Sequence, residues 1–421
     1  MAMVTNEWMT VQAAAEHLGV SADTIRRWEK KGLIRAKRGK HGERLFEQPE
    51  LRRVAEQGQN SSGVWKQLKA EQGTVSLIEL FCGAGGLALG LHNAGLESKL
   101  LVDFDKDAIQ TLQSNRPEWN SVKASVTEID LHEYEGKVDV MAGGFPCQAF
   151  SYAGKQLGFE DTRGTLFYDF ARLVSQVKPK MVLAENVKGL LSHDGGKTLE
   201  TILNILDEMG YEASYKLMRS QFLDVPQKRE RLIIMATRKE LGLKHLFPEE
   251  KRYTVSLRAA IQDAPPSDGQ EYSESKKTIM SLVPPGGYWR DLPDDLQKQY
   301  MGGSYFLGGG KTGMARRLSW DEPSLTLTCN PAQKQTERCH PEETRPLSVR
   351  EYARIQCFPD DWEFSGSTSS KYKQIGNAVP VNLGYHVGLA VRTVLGNPAS
   401  KADLPAELVS GTKWVPTHQN D

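Results

Sequence analysis

The apolar positions change their period along the chain, and those changes divide it. From Thr10 to Val20, Val11, Ala14, Ala15 and Leu18 recur at helical spacing, and Gly19 breaks the pattern. Ser21 is a good N-cap for a second helix to about Lys31, which Gly32 closes. Helix, short turn, helix is a helix-turn-helix pattern. The basic, glycine-containing stretch Arg35 to Arg44, followed by Leu45 and Phe46, reads as a hairpin wing, and Pro49 opens another short helix. Gln57 to Gln72 is polar and reads as a linker with a short helix near Trp65. Buried-strand runs then follow at Val75 to Phe81, Lys99 to Phe104, Val138 to Ala142, Met181 to Glu185 and Arg231 to Thr237. Helical stretches separate most of them, which predicts a mainly parallel, doubly wound α/β sheet. The alternation stops from about Leu243 to Thr344, a region rich in Gly, Pro and Ser, and returns near Pro346. Ala399 to Asp421 reads as a polar, mobile tail.

Composition narrows the class. A chain of 421 residues suggests two or three domains. No apolar run is long enough for a membrane span, and the first ten residues lack a basic-then-apolar signal, so a cytoplasmic protein without a membrane partner is expected. Five cysteines at irregular spacings contain no CxxC pair, so neither a metal site nor a disulfide framework is expected. The formal net charge is zero, yet Ser21 to Arg53 holds eleven Lys/Arg against five Asp/Glu. That local excess matters more than the sum. The text VQAAAEHLGVSADTIRRWEKKGLIRAKRGKHGERLF resembles the winged helix-turn-helix of MerR-type regulators. The resemblance implies that Thr24, Arg26 and Arg27 face DNA from the second helix and Arg38, Lys40 and Arg44 from the wing. A basic, solvated helix pair that binds nothing is the competing reading.

Five segments carry chemistry. LIELFCGAGGLALGL is strand, glycine turn and helix, the arrangement that brings backbone against a nucleotide-like ligand; Gly83, Gly85 and Gly86 permit the approach. The next strand ends in Asp103, suited to ribose hydroxyls, and Phe104, suited to stacking on adenine. In GGFPCQAFS, Cys147 follows Pro146 just after a strand; it is either a buried thiol or a nucleophile. LAENVKGLL puts Glu185 at the end of an apolar strand, where an ionised carboxylate needs a partner. VPQKRERLIIMA alternates Arg229 and Arg231 onto a strand, and YKQIGNAVPVNLG lies near the C-terminus.

Taken in this order, with RPLSVREYARIQCFPDDW, these segments resemble the bacterial cytosine-5 DNA methyltransferase family from Val75 to about Leu395. The resemblance implies a class I S-adenosylmethionine-dependent methyltransferase fold with an inserted target-recognition domain, acting on double-stranded DNA. It implies residues 1–56 as the winged helix-turn-helix domain, 57–73 as linker and 74–242 as the first part of the catalytic domain. Residues 243–344 would be the target-recognition domain, 345–396 the catalytic return and 397–421 the tail. Cys147 would attack carbon 6 of a flipped cytosine, a protonated Glu185 would sit at N3, and Arg231 would hold the carbonyl oxygen. Arg229 would help position Glu185 or the cysteine loop. Cofactor contacts would come from Phe81, Gly83, Gly85, Gly86, Leu87, Asp103, Phe104, Ser125, Val126, Pro146, Leu166, Asn377 and Ala378. Arg316, Arg317, Lys334 and Arg338 are candidate DNA contacts or solvated surface. The sequence departs from the family at Glu79, where Asp is usual, and at Ser125, where an Asp often holds the adenine. The expected setting is a restriction-modification system with a cognate endonuclease that forms no stable complex, and an autoregulatory role for the N-terminal domain. An RNA cytosine methyltransferase and an inert DNA-binding regulator are the alternatives.

Overall fold

The computed structural model describes residues 8–18, 22–30, 34–39, 42–51, 62–146, 166–308, 311–398 and 408–415. The N-terminal unit is β1 (Trp8–Thr10), α1 (Val11–Leu18), α2 (Ala22–Lys30), β2 (Lys37–Arg38) and β3 (Arg44–Glu47). Its three strands form a sheet in the order β1-β3-β2, so the hairpin wing is present. Ala14, Ala15, Ile25, Ile34, Phe46 and Leu51 close a core of its own. Of the apolar positions that predict the first helix, Ala14 and Ala15 are buried there, and Val11 and Leu18 pack against them half-buried.

A short strand β4 (Ser62–Gly63) precedes the large α/β unit, the expected catalytic unit. Then come β5 (Ser76–Leu80), α3 (Gly86–Asn93), β6 (Glu97–Asp103), α4 (Lys106–Asn115), β7 (Ser121–Lys123) and β8 (Val140–Gly143). They are followed by α5 (Leu166–Val177), β9 (Met181–Val187), α6 (Lys197–Glu208), β10 (Tyr211–Arg219), β11 (Gln227–Lys228) and β12 (Glu230–Arg238). Strands β9-β8-β5-β6-β7 are parallel neighbours; β12 runs antiparallel to β9, and β10 antiparallel to β12. The five predicted strands are all present. β7 and β10 were not predicted: β7 has three residues, and β10 buries the adjacent pair Ala213 and Ser214, which breaks the alternation that marks a half-buried strand.

The remaining elements are β13 (Leu246–Pro248), β14 (Thr254–Val255), α7 (Leu257–Ile261), α8 (Glu274–Ser281), α9 (Asp294–Met301), β15 (Ser324–Leu325), α10 (Val349–Ile355), α11 (Thr368–Asn377), α12 (Val381–Val394), β16 (Leu408–Ser410) and β17 (Thr412–Lys413). Helices α3 and α12 pack so closely that a Cβ on Gly86 would lie 2.3 Å from the Val379 carbonyl oxygen, and one on Gly90 2.4 Å from that of Val381. Only glycine allows this approach, and it clamps the start of the catalytic unit to its end.

Three boundaries differ from expectation. The C-terminal tail is not wholly loose: β17 pairs with β10 as the eighth strand of the main sheet, and β16 pairs with β13. The second half of the linker belongs to the core. Leu68 and Ala70 are buried in it, Trp65 donates its Nε1–H to the Arg354 carbonyl at 2.9 Å, and β4 pairs with β14. Polar composition concealed these anchors because they are single residues spaced along an irregular strap. A separate core built around Met280, Trp289, Tyr300 and Met314 is also smaller than the recognition domain expected over residues 243–344. Leu257, Ala260, Leu318 and Leu327 join the main core instead. Among the described residues no helix is long and apolar enough to cross a membrane.

Removal of residues 1–61 should therefore leave the thermal unfolding of the catalytic unit unchanged. Removal of residues 1–73 should lower its midpoint by roughly 5–15 °C, because losing large buried side chains costs about 3–5 kcal/mol. Calorimetry on both truncations, compared with the full chain, measures this.

Candidate active site

The period of two in a strand decides which side chains meet. On β5, Leu77 faces the core shared with α3 and α12, while Ile78 and Leu80 face the opposite core. Glu79 shares the face of Leu77. By the same parity Asp103 follows Leu101 on β6, Glu185 follows Leu183 on β9, and Arg231 precedes Ile233 on β12. Because β12 is antiparallel, its first residues lie at the carboxyl ends of the parallel strands. One face of the sheet edge thus carries the row Asp103, Glu79, Glu185, Arg231.

Arg231 and Glu185 form an ion pair, Nε to Oε1 at 2.5 Å, with each side chain 12% exposed. A Cβ on Gly144 would lie 3.0 Å from the other Glu185 oxygen, so that carboxylate sits directly over the segment leading to Cys147. Cys147 itself lies outside the described residues, as do residues 148–165. Both flanks are anchored: the Phe145 and Phe167 rings meet at 4.9 Å, and Asn186 Nδ2 donates to the Phe145 carbonyl at 2.9 Å. Pro146 ends the first flank and Leu166, half-buried, opens α5 on the second. The role of Asn186 was missed from sequence; an amide beside Glu185 at the end of an apolar strand was the available signal.

The glycine loop is fixed by Asp103. Its Oδ2 accepts from Gly83 N and its Oδ1 from Asp105 N, both at 2.8 Å. Burial pushes its carboxyl pKa up, against these backbone donors. Phe81, Gly83 and Gly85 all have positive φ, at 57°, 52° and 86°, so the backbone turns sharply, and beside Gly83 nothing lies within 4 Å of a Cβ position. Phe104, next to Asp103, is 69% exposed. Ser125 is half-buried and engages Thr127, Oγ to Oγ1 at 2.6 Å; Val126 is buried beside it. The Leu87 side chain packs on Gly384 rather than outward. Glu79 is 2% exposed, and its Oε2 has no hydrogen-bond partner among the described residues. Burial raises its pKa well above the usual range, and the charges of Asp103 and Glu185 add to the shift.

Arg229 acts elsewhere than expected. It is 2% exposed and donates from Nη1 to the Leu327 carbonyl at 3.3 Å and from Nη2 to that of Gly376 at 3.0 Å. Burial, with the charge of Arg231 beside it, lowers its pKa to about 9. It holds the returning chain around Glu185 without bonding to it. Two buried amides complete the same knot. Gln227 Nε2 donates to Gln356 Oε1 at 2.9 Å, and Gln227 Oε1 accepts from Leu327 N at 3.0 Å. Gln356 Nε2 reaches the Ile375 and Ala378 carbonyls at 2.7 and 3.1 Å. Asn377 and Ala378 are thereby brought to the glycine loop, with a Cβ on Gly86 only 3.0 Å from that of Ala378. Cys329, exposed, donates its thiol to Asn377 Oδ1 at 3.1 Å.

The candidate DNA contacts separate into surface and core. Arg26, Arg38 and Arg44 are exposed; Arg38 bonds the Gly42 carbonyl at 2.7 Å and Arg44 pairs with Glu29 at 3.1 Å. Lys40 and the side chains of Thr24 and Arg27 lie outside the described residues. Lys334 is exposed, and Arg316 is half-buried with its guanidinium 5.9 Å over Tyr288. Arg317 and Arg338 are corrected: at 3% and 5% exposure they are internal. Arg317 Nη2 donates to the Met280 carbonyl at 2.7 Å, and Arg338 Nη1 to that of Glu337 at 2.6 Å. A guanidinium taken out of water needs such acceptors, so neither is available to a groove.

This sheet, with its glycine loop, acidic strand end and carboxylate–arginine pair, is the architecture of a methyltransferase. It is shared with a prophage-encoded DNA modification methyltransferase of E. coli, at TM-score 0.57 and 22% identity, covering 77% of this chain and all of that one. It is shared also with the S. pombe Dnmt2 methyltransferase, at TM-score 0.55 and 15% identity over 77% of this chain and 100% of that chain. Residues 75–392 match the C-5 cytosine-specific DNA methylase family, and the chain belongs to that family. Residues 10–46 match the MerR family regulatory protein description. The chain is 54% identical over 397 residues to the Type II methyltransferase M.Eco47II of Escherichia coli, covering 91% of this chain and 95% of that one. It is 52% identical over 320 residues to M.Sau96I of Staphylococcus aureus, covering 74% of each chain.

The buried Glu79 gives a pH test. A carboxyl group whose folded pKa is raised keeps its proton in the native state after the unfolded chain has lost it. Stability is then full below the ordinary pKa and falls as pH rises toward the folded value, by up to about 1.4 kcal/mol per pH unit. Glu79→Gln should flatten the loss of thermal stability between pH 5 and pH 8. Parallel slopes for Glu79→Gln and the parent chain would show Glu79 ionising as freely in the fold as in water.

Proposed function

We propose that the chain is the modification enzyme of a Type II restriction-modification pair, methylating carbon 5 of a cytosine within a specific duplex sequence. The Glu185–Arg231 pair, seated at the carboxyl edge of the sheet beside the segment that leads to Cys147, carries this reading. The relatives named as Type II methyltransferases support the setting.

The cleft fits S-adenosylmethionine. Gly83 opens onto free space where a ligand can come close to the backbone, Gly85 and Gly86 fold the loop tightly against the core, Phe104 offers an exposed face for adenine, and Asp103 retains acceptor capacity beyond its two backbone bonds. Ser125 and Val126 follow β7, whose end is held by the Asp103 carbonyl, and Pro146, Leu166, Asn377 and Ala378 are taken as further cofactor contacts. When bound, the cofactor supplies an electrophilic methyl carbon. The protein supplies everything else. Cys147 as thiolate bonds to carbon 6 of a cytosine turned out of the duplex, and the displaced electron pair gathers toward N3 and carbon 5. As the base enters, Glu185 takes up a proton and donates it toward N3, and Arg231, released from the ion pair, donates to the cytosine carbonyl oxygen. Both side chains are nearly dry, so each interaction is stronger than in water. After transfer a base takes the carbon-5 proton, the carbon–sulfur bond breaks, and Cys147 leaves as thiolate. Arg229, Gln227 and Gln356 position this set without touching the base. The N-terminal unit adds phosphate contacts through Arg26, Arg38 and Arg44, in the cytoplasm where the DNA lies.

Cys147→Ser should abolish turnover while S-adenosylmethionine binding survives, and a duplex carrying 5-fluorocytosine should trap the native protein covalently. Glu185→Gln should lower kcat by roughly 10²–10⁴ with cofactor affinity kept. Bisulfite sequencing of DNA from cells expressing the native chain maps the target; near-normal methylation by Cys147→Ser would sink the mechanism. Loss of residues 1–61 should leave the mapped sites unchanged and make the salt dependence of binding shallower, by about 0.9 for each phosphate that is no longer neutralised.

A further inference from the structure

Phe306 and Leu307 are exposed at 83% and 66%, neighbours on one loop tip after α9. No other two adjacent large apolar side chains are so exposed among the described residues. The tip is built, not loose. The Lys311 ammonium donates to the carbonyls of both Ser304 and Leu307, closing the turn. The Tyr305 ring meets Phe306 edge-on at 5.3 Å and meets Trp289 at 6.0 Å, and Trp289 is buried in the recognition-region core. An aromatic ring presented to water beside an anchored neighbour is available to another flat surface.

Its position relative to the cleft says which surface. From Cys329, bonded to Asn377 at the site, the chain runs through exposed Gln333, Lys334 and Gln335. Thr336 returns to Thr328, Oγ1 to Oγ1 at 3.2 Å, and Lys334 Nζ donates to the Tyr300 carbonyl on α9, the helix that leads into the tip. A polar strip suited to base edges therefore runs from the cleft to the apolar tip. Two side chains are too small a patch for a stable protein interface. They match one unstacked base step.

Resting on the DNA methyltransferase reading above, we propose that Phe306, backed by Leu307, is a wedge that stacks on a base of the bound duplex near the target and fixes the register of recognition. Ring–base stacking needs no charge, so its loss should weaken binding without changing the number of phosphates neutralised.

The test uses the full-length protein and a duplex carrying the mapped site. Phe306→Ala should weaken duplex binding about tenfold or more, at unaltered thermal stability and unaltered salt slope. Phe306→Trp should stay within about twofold of the parent chain, since stacking tolerates any aromatic ring. Leu282→Ala, an exposed apolar residue of the same region but away from the tip, should bind as the parent does. With 2-aminopurine scanned along the duplex, the parent chain should brighten one position besides the target, and Phe306→Ala should not. Parent-like affinity of Phe306→Ala, a shallower salt slope, or a dimer that Phe306→Ala dissociates in sedimentation would each overturn the wedge. A parent chain that transfers no methyl group to duplex cytosine would instead remove the reading beneath it.

Discussion

A buried knot of three side chains holds the site together. Gln227, Arg229 and Gln356 lie at almost no exposure and bond to Leu327, Ile375, Gly376 and Ala378, almost entirely through main-chain groups. Leu327 comes from the segment after β15, Ile375 and Gly376 from the last turn of α11, and Ala378 from the link to α12. Burying one guanidinium and two amides is tolerable only because nearly every donor finds a carbonyl. The consequence is directional. Residues distant in the chain are welded to one point beneath the cleft, and Asn377 and Ala378 can stand opposite the glycine loop only while the knot is intact.

Above the knot, charge is arranged in a row at the sheet edge. Three carboxyl groups, Glu79, Asp103 and Glu185, share one face with a single facing guanidinium, Arg231. They are not equivalent. Asp103 is committed to the glycine loop, Glu185 to Arg231, and Glu79 is left without compensation, so burial favours its neutral form. The same low exposure that makes Glu79 expensive strengthens the Glu185–Arg231 pair.

The irregular segment of residues 243–344 follows a different rule. Its core is small, its helices are short, and its arginines are divided. Arg317 and Arg338 are spent on internal carbonyls, whereas Lys334 and the glutamines beside it face outward. A region with so little regular structure needs such internal cations to satisfy main-chain groups that no helix or strand pairs. An arginine in an irregular segment is thus as much a scaffold element as a contact.

Much of this was legible in the sequence. Short-range periodicity and caps placed α1, α2, four of the five parallel strands (β5, β6, β8 and β9) and the antiparallel β12, because burial on one or two faces leaves a local signature. The glycine turn and the residues at strand ends located the cleft, since backbone geometry and chemistry there depend on adjacent residues. The local alphabet could not say where a long side chain would end. Arg229 and Arg231 are two residues apart on nearly the same strand; one grips Glu185 and the other is swallowed by carbonyls from 98 and 147 positions away. Nor could composition show that Trp65 and Leu68 in a polar strap are core, or that Thr412 and Lys413 in a polar tail complete the sheet. Sequence by itself determined the elements and the chemistry they carry. The tertiary structure alone decided which charged groups are dry, paired or free, because burial and pairing depend on chain segments that meet only after folding.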